Sequence, residues 1–371
     1  MMDTFAGVKK NFGFGCMRLP MKDKEVDLEE FTRMVDAFLD AGFNYFDTAH
    51  GYLSGKSETA LKACLTSRYP RDRYILTNKL TSTYFKTEAD IRTFFQTQLD
   101  ACGVEYFDYY LMHAQNRDNF KHFVACNAYE TAFRLKEEGK VRHVGLSFHD
   151  NAETLDKILT AYPQVEVVQL QFNYLDYEDP AVQSRACYEV CQKHGKPVIV
   201  MEPVKGGRLV NLPEKASKLL DELQGGSHAS YAIRFAASFE NIKMVLSGMG
   251  DMQMMTDNLS YMQDFKPLND RELAAVEAVC KQLRSVDLIP CTACKYCMEV
   301  CPQQIQIPDL FDCYNSRRLW QGKDRRYYDY ILKSSGKSPD DCLLCGLCEK
   351  ICPQQLPIRK LLKTVKEEME Q

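Results

Sequence analysis

Eight cysteines near the C-terminus have the spacing of metal ligands. They form two copies of the pattern C-x2-C-x2-C-x3-C-P, one beginning at Cys291 and the other at Cys342. Thiolates are soft ligands that suit both zinc and iron–sulfur clusters. Zinc sites usually combine two CxxC pairs across a long gap, whereas three cysteines of each copy here share one short loop. The spacing therefore favours iron–sulfur clusters over zinc.

The doubled pattern resembles the motifs of bacterial two-cluster ferredoxins, and the resemblance covers residues 286–371. It implies two [4Fe–4S] clusters, with the fourth cysteine of each copy bound to the cluster of the other copy. The implied ligand sets are Cys291, Cys294, Cys297 and Cys352 for one cluster, and Cys342, Cys345, Cys348 and Cys301 for the other. Residues 303–341 form a longer insert than small bacterial ferredoxins have, and we predict that this insert is helical.

The other half of the sixteen cysteines shows no metal spacing, and we expect these side chains in the core. They are Cys16, Cys64, Cys102, Cys126, Cys187, Cys191, Cys280 and Cys313. Because the first residues lack the apolar stretch of a signal peptide, the expected compartment is the reducing cytoplasm. The net charge of −4 and the lack of a long apolar run argue against nucleic acid and membrane as partners.

Eight β-rich segments alternate with helical patterns along residues 1–285. The predicted strands are residues 12–18, 44–48, 74–80, 107–113, 141–148, 165–172, 197–202 and 243–247. Asp27 with Glu30, and Thr87 with Asp90, mark two helix starts. Several strands are apolar on both faces, as buried parallel strands are, and residues 13–18 lack the glycine-rich loop of a doubly wound sheet. The pattern predicts an α/β protein: a (β/α)8 TIM barrel over residues 1–285, then a smaller, mainly α-helical ferredoxin-like domain over residues 286–371.

Polar side chains gather at the C-terminal ends of these strands, where barrels carry out their chemistry. Asp47 and Tyr52 follow the second strand, Lys79 ends the third and His113 ends the fourth. A carbonyl reduced by hydride becomes an alkoxide that needs a proton, and Tyr52 can supply one. We expect Lys79 to lower the pKa of Tyr52, Asp47 to hold Lys79, and neutral His113 to bind the carbonyl oxygen.

Residues 10–265 resemble the aldo-keto reductase family in several motifs. NYFDTAHGY contains Asp47 and Tyr52, TNKL contains Lys79, and LMHAQ contains His113. The opening strand GFGCMRLP and the sixth strand VVQLQFN are also similar. More closely, the chain looks like the branch that has a C-terminal ferredoxin-like extension. The resemblance implies NAD(P)H-dependent reduction of an aldehyde or ketone, with Asp47, Tyr52, Lys79 and His113 as the catalytic residues.

The resemblance also implies a set of cofactor contacts. Ser147 and Gln169 would hold the nicotinamide carboxamide, while Phe148 stands where asparagine is usual and Met201 where an aromatic ring commonly stacks. The whole set is Gly15, Cys16, Met17, Asp47, Ser147, Gln169, Met201, Pro203, Gly248, Gly250, Asp257 and Asn258.

The adenine end of the cofactor is expected at SGMGDMQMMTDN, residues 247–258, where a helix N-terminus favours phosphate. Gly250 replaces the basic residue common in NADP-binding members of the family. Asp251 adds a negative charge that repels a 2′-phosphate. NADH and NADPH therefore both remain open as the cofactor.

The two halves of the chain transfer electrons in different numbers. A cluster accepts one electron and nicotinamide transfers a hydride, so a bridging FMN and a redox partner protein both remain open. Our preferred hypothesis is an oxidoreductase that reduces a small-molecule carbonyl and carries an electron-transfer domain. Two alternatives remain: clusters that are structural or sense oxidation beside an independent barrel, and a barrel that binds the cofactor as a redox sensor with little turnover.

Overall fold

The computed structural model describes residues 4–180, 182–320 and 325–370, without the side chains of Leu319, Trp320 and Arg326. Residues 321–324, which belong to the insert predicted to be helical, lie outside the described residues. The chain forms two compact units, Met1–Pro203 with Ala229–Asn269 and Val204–His228 with Asp270–Gln371, so it passes between them three times. The boundary between residues 285 and 286, which was placed from the motifs, stays a prediction.

The first unit contains a closed barrel of parallel strands, as the sequence predicts. The strands are β1 Phe12–Gly15, β2 Tyr45–Asp47, β3 Ile75–Leu80, β4 Phe107–Gln115, β5 Val141–Phe148, β6 Val167–Gln171, β7 Val198–Met201 and β8 Ile242–Ser247. Each strand pairs with its neighbours in chain order, and β1 closes the barrel by pairing with β2 and β8. A short antiparallel hairpin, Met21–Lys22 with Glu25–Val26, follows β1. All the strands predicted from periodicity are present, with small differences in their ends.

The barrel interior is filled by side chains. Tyr45, Tyr109, Ile199 and Met244 are buried there in one cluster, against which Phe5 from the N-terminal segment packs. The filling is tight enough that a Cβ at Gly13 would lie 2.7 Å from the Leu246 side chain. Because the interior is a packed core, ligands must bind at the ends of the strands.

Helices account for most of the remaining chain. They are α1 Leu28–Asp40, α2 Lys56–Leu61, α3 Glu88–Cys102, α4 Asn119–Ala125, α5 Ala128–Glu137, α6 Ala152–Ala161, α7 Ser184–Lys193, α8 Glu214–Asp221, α9 His228–Ala237, α10 Met252–Met262, α11 Asp270–Arg284, α12 Tyr296–Glu299, α13 Ile307–Trp320, α14 Arg325–Ser335, α15 Leu347–Ile351 and α16 Ile358–Met369. In the part of the chain that the structure describes, none of them has both the length and the hydropathy to cross a bilayer.

Both helix starts predicted from capping signals are confirmed. The Asp27 side chain accepts a hydrogen bond from the Glu30 backbone N–H at 3.0 Å at the start of α1. Thr87 and Asp90 form a reciprocal capping box at the start of α3. These caps satisfy backbone N–H groups that have no partner within the helix.

The second unit has a core of its own. Phe311 of α13, Tyr328 of α14 and Val365 of α16 are fully buried in it, and α13 packs against both α14 and α16. The insert expected to be helical is thus confirmed as α13 and α14, with a 3-10 turn at Pro339–Asp341. The eight cysteines outside the motifs are all buried, as predicted.

The two cysteine motifs repeat in backbone conformation as well as in sequence. Three matching pairs of positions have left-handed backbone with φ between 51° and 74°: Ala293 and Leu344, Lys295 and Gly346, and Gln304 and Gln355. The short helices α12 and α15 also occupy matching positions. Left-handed residues turn a chain sharply, so each motif forms the same tight loop.

The segment that leaves β7 contacts the first cysteine loop within the second unit. Gly206 has a φ of 66°, and a Cβ there would lie 2.5 Å from the Thr292 backbone oxygen, between Cys291 and Cys294. The Arg208 guanidinium donates a hydrogen bond to the Ile289 carbonyl at 2.5 Å. Glycine is therefore required at position 206 for both its conformation and its lack of a side chain.

Replacing Gly206 by alanine should destabilise the second unit more than replacing Gly207. Both glycines have positive φ, but a Cβ at Gly207 would have no atom within 4 Å. Gly207→Ala therefore adds only backbone strain of about 1–2 kcal/mol, whereas Gly206→Ala must also displace the Thr292 backbone. By calorimetry on anaerobically purified protein, we expect a melting temperature at least about 3 °C lower for Gly206→Ala than for Gly207→Ala. Equal melting temperatures would contradict the steric argument.

Candidate active site and metal centres

Lys79 lies at the centre of the candidate active site. Its ammonium donates hydrogen bonds to Asp47 Oδ1 at 2.5 Å, to the Thr48 carbonyl at 2.9 Å and to the Tyr52 hydroxyl at 3.2 Å. The barrel register places Asp47 of β2 beside Thr77 of β3, so Lys79, two residues further along β3, points to the same face. The side chain is fully buried, and its three partners match the three protons of the ammonium.

Tyr52 reaches Lys79 from the loop that follows β2. A tight 3-10 turn begins at Tyr52, and its next two residues, Leu53 and Ser54, have φ values of 53° and 57°. Residues other than glycine rarely adopt this conformation, and such strain is concentrated at functional sites. The Lys79 nitrogen lies 4.8 Å from the centre of the Tyr52 ring. The strained turn thus holds the phenol against the ammonium.

His113, near the end of β4, also lies close to the phenol. Its ring centre is 6.1 Å from that of Tyr52, and its Nδ1 is 2.7 Å from the Thr81 hydroxyl. Burial and the nearby Lys79 ammonium hold the pKa of His113 well below its usual value. Burial also lowers the pKa of His149, which follows β5, to about 4. Both imidazoles are therefore neutral at neutral pH.

The phenol of Tyr52 is less acidic than the sequence led us to expect. Burial raises the pKa of Tyr52 well above its usual value, and the Asp47 carboxylate raises it further. The Lys79 ammonium is paired with that same carboxylate. In this structure the pKa of the Tyr52 phenol is raised, where the sequence led us to expect that Lys79 would lower it.

The two residues expected to hold the carboxamide already have protein partners. Gln169 Nε2, on β6, donates to Asp47 Oδ2 at 3.0 Å. The Ser147 hydroxyl, on β5, accepts a hydrogen bond from the Ala114 backbone N–H at 2.8 Å. Phe148, which replaces the usual asparagine, is buried. A predicted cofactor contact, Gln169, is therefore hydrogen-bonded to a predicted catalytic residue, Asp47.

The other predicted cofactor contacts lie at the ends of β1, β7 and β8. Cys16 is buried, and its backbone N–H donates to the Asp47 carbonyl at 2.8 Å. Asn258 is buried on α10 and accepts a hydrogen bond from the Tyr261 hydroxyl at 2.7 Å. The remaining positions are Gly15 at the end of β1, Met17 after it, Met201 at the end of β7, Pro203 after it, Gly248 and Gly250 after β8, and Asp257 on α10. The whole set thus follows the C-terminal rim of the barrel.

The N-terminus of α10 is surrounded by carboxylates. Asp251 caps the helix by accepting a hydrogen bond from the Met254 N–H at 2.7 Å. Glu30, from α1, accepts a second one from the Met252 N–H at 2.9 Å. We expected this helix end to bind the adenine side of the cofactor. The two carboxylates already neutralise the positive end of the helix dipole there.

Several residues around this site were not among those predicted from the sequence. Thr81 lies two residues beyond Lys79, so strand alternation is a signal that pointed to it. Glu30 was identified only as a capping residue of α1, and no sequence signal relates it to α10. Arg18 and Glu202 act on Tyr52 through their charges, since Arg18 lowers the pKa of the phenol and Glu202 raises it.

The eight motif cysteines line two cavities within the second unit. One is lined by Cys291, Cys294, Cys297 and Cys352, and the other by Cys301, Cys342, Cys345 and Cys348. Each cavity thus contains the cysteine set implied by the ferredoxin resemblance, with the fourth ligand exchanged between the copies. Ile307 of α13 lines both cavities.

Each cavity is lined by four thiols. Within the described ranges, no three His, Cys, Asp or Glu side chains converge on the position of one metal ion. The thiols instead surround a volume, and thiolates are the ligands that iron–sulfur clusters require.

Comparisons with known proteins agree with both parts of this description. Residues 11–281 match the model of the aldo/keto reductase family, and residues 290–356 match a 4Fe-4S dicluster domain. An aldo-keto reductase from Mycobacterium sp. (strain KMS) is 26% identical over 275 residues, which make up 72% of this chain and 88% of the relative. The NADH-specific methylglyoxal reductase of Escherichia coli (strain K12) is 26% identical over 216 residues, or 53% of this chain and 62% of the relative.

Solved structures share the barrel. An aldo-keto reductase from Klebsiella pneumoniae in complex with NADPH superposes with a TM-score of 0.60 at 20% identity, over 72% of this chain and 90% of that one. The holo form of an aldo-keto reductase from Bacillus halodurans gives a TM-score of 0.59 at 23% identity, over 73% and 92%. The family match spans most of the chain and coincides with the closed barrel and its polar rim. The chain therefore belongs to the aldo/keto reductase family, as an oxidoreductase that carries a C-terminal 4Fe-4S dicluster domain.

Proposed function

We propose that this protein reduces a small carbonyl compound, an aldehyde or ketone, with Tyr52 as the proton donor. The observation that carries the proposal is the buried Lys79 ammonium, which contacts the Asp47 carboxylate and the Tyr52 hydroxyl together. A nicotinamide cofactor bound along the rim of the barrel would supply the hydride. The residues of this chain hold the carbonyl oxygen, deliver the proton and stabilise the charge that remains.

Proton delivery follows from the protonation states in the site. Tyr52 begins as a neutral phenol, because burial raises its pKa, and it therefore holds a proton to give to the developing alkoxide. Once the proton has left, the phenolate accepts the hydrogen bond that Lys79 donates at 3.2 Å. A charge-assisted hydrogen bond in a site from which water is excluded stabilises such an anion strongly.

His113 positions the carbonyl group. Its imidazole is neutral because its pKa is lowered. The Thr81 hydroxyl lies 2.7 Å from Nδ1. In the tautomer in which Thr81 donates this hydrogen bond, the ring proton resides on Nε2, which can donate to the substrate oxygen. A neutral donor holds the carbonyl without competing with Tyr52 for the proton transfer.

Two carboxylates at the start of α10 support NADH as the preferred cofactor. Asp251 and Glu30 both accept hydrogen bonds from backbone N–H groups of that helix. A free helix N-terminus binds anions. A 2′-phosphate placed at this one would instead be repelled by the two carboxylates. The Escherichia coli relative carries the description NADH-specific.

The eight cysteines would hold two [4Fe–4S] clusters, which transfer single electrons. A redox partner protein would exchange electrons with them, and a flavin such as FMN would be needed wherever single electrons are converted to hydride. Iron, sulfide, flavin and nicotinamide analysis of an anaerobic preparation tests this whole set of cofactors.

Tyr52→Phe should lose carbonyl reduction by at least about 100-fold, because the proton donor is removed. Steady-state turnover of an aldehyde panel with NADH measures the loss, and the iron content should not change. Tyr84→Phe is the matched control, because it also removes a phenol hydroxyl close to this loop. The Tyr84 hydroxyl lies 3.6 Å from the place that a Cβ would take at Gly51, the residue before Tyr52. Negligible turnover of the wild type over the panel would favour the sensor alternative, and full activity of Tyr52→Phe would refute the assignment.

The rate of reduction should stay level as the pH rises from neutrality to about 10. The protonated phenol is the form required, and a pKa raised by burial keeps Tyr52 in that form at alkaline pH. The pH profile of kcat for reduction measures this directly. A decline centred near pH 8 would show instead that Lys79 lowers the pKa of the phenol, as the sequence first suggested.

Asp251→Ser should improve NADPH binding relative to NADH. Serine retains the helix cap but removes one of the negative charges near the expected phosphate position. Fluorescence titration of both dinucleotides should show an NADPH Kd lowered by about tenfold, with the NADH Kd within about twofold of the wild type. A wild-type protein that strongly prefers NADPH would contradict the electrostatic argument.

A further inference from the structure

The two cysteine loops differ in what they present to solvent. Leu343, Leu344 and Leu347 of the second loop are 61%, 63% and 44% exposed. The matching positions of the first loop are occupied by Thr292, which is buried, and by Ala293 and Tyr296. Three large aliphatic side chains on one short loop are unfavourable in water unless a partner covers them.

These leucines surround the most accessible thiol of the two motifs. Cys345 lies between Leu344 and Leu347 and is the one exposed cysteine among the eight ligand candidates, all of which the structure describes. Cys345, Leu343 and Gly346 also line the second cavity. The apolar patch is defined as Leu343, Leu344 and Leu347, and it adjoins the cavity through Leu343 and Cys345.

Basic side chains border this patch. The Arg359 guanidinium donates a hydrogen bond to the Leu344 carbonyl at 3.3 Å. It lies 3.6 Å from the place that a Cβ would take at Gly346. Arg359 also pairs with Glu349. Lys350 follows Glu349 in the sequence, and Lys360 follows Arg359. Both lysines are exposed and have no ion-pair partner among the described residues. The border is thus positive on a chain whose net charge is −4.

We propose that the Leu343–Leu344–Leu347 patch, with its basic border, is the docking surface for a small acidic protein that carries a one-electron centre. The inference rests on the proposed function in one respect: the cavity behind the patch must hold a cluster. Cys301, Cys342, Cys345 and Cys348 would hold a cluster that could accept one electron from the reduced carrier, which would be oxidised with no bond made or broken. An apolar centre excludes water while the charged border sets the orientation and the on-rate.

A second copy of this chain fits the surface less well. A symmetric dimer through the patch would bring each basic border against its own copy, and like charges at an interface are unfavourable. An acidic carrier is attracted by the same border, and its binding should weaken as salt screens the charges.

The test uses the anaerobically purified holoprotein and an acidic plant-type [2Fe–2S] ferredoxin as the carrier. Calorimetry gives the Kd between the oxidised proteins at low and high salt, and stopped-flow absorbance gives the rate at which reduced carrier reduces the clusters. The variants are Leu344→Asp in the patch and Lys350→Glu with Lys360→Glu in the border. Ala293→Asp is the matched control, because Ala293 is exposed and occupies the position of Leu344 in the first loop, with the same left-handed backbone.

We expect the patch and border variants each to raise the Kd by about tenfold or more, and high salt to weaken wild-type binding. Ala293→Asp should stay within about twofold of the wild type, and all variants should keep their iron content and their rate of reduction by dithionite. An iron-free wild type would instead refute the proposed function itself, whatever the Kd.

Several results would overturn the docking proposal while leaving the clusters in place. One is a wild-type holoprotein that does not bind the carrier at low salt, and another is a set of variants with unchanged Kd. Sedimentation that reveals a dimer abolished by Leu344→Asp would assign the patch to a second copy. Leu344-dependent binding to phospholipid vesicles would assign it to a membrane surface.

Discussion

A buried ammonium can exist only where the protein replaces the water that it has lost, and the mouth of this barrel is organised around that requirement. Lys79 obtains its three partners from Asp47, Thr48 and Tyr52. Asp47 in turn receives a hydrogen bond from Gln169 on β6. Strands β2, β3 and β6 therefore converge on one positive charge, and the geometry of the site depends on the closure of the whole barrel.

The same burial that imposes these contacts also sets the chemistry. It raises the pKa of Tyr52 and lowers those of His113 and His149, so the mouth combines a neutral phenol with neutral imidazoles. Lys79 and Asp47 form a close charged pair beside them. In such surroundings the anion left after proton transfer is stabilised by a fixed ammonium rather than by mobile water, which must reorganise.

The fold was largely predictable because strands buried on both faces and capped helices leave local signals, as in β7 and α3. The four candidate catalytic residues were predictable because strand ends mark the mouth of any barrel. Other features depend on distances that a sequence does not contain. The pKa of Tyr52 depends on its burial in the folded barrel. The hydrogen bond between Glu30 and α10 joins segments that are far apart in the sequence. The division of the chain into units depends on where Val204–His228 packs.

That division has a consequence for biosynthesis. Val204–His228 emerges between β7 and α9, yet it belongs to the unit whose remaining residues, Asp270–Gln371, are translated last. A ribosome delivers the chain from its N-terminus, so this segment must wait for its partners until after the final barrel strand has been made. Its first partner is α11, which packs against α8, so a chain that stopped near residue 285 would keep this pair of helices and lack the rest of the unit to which both belong.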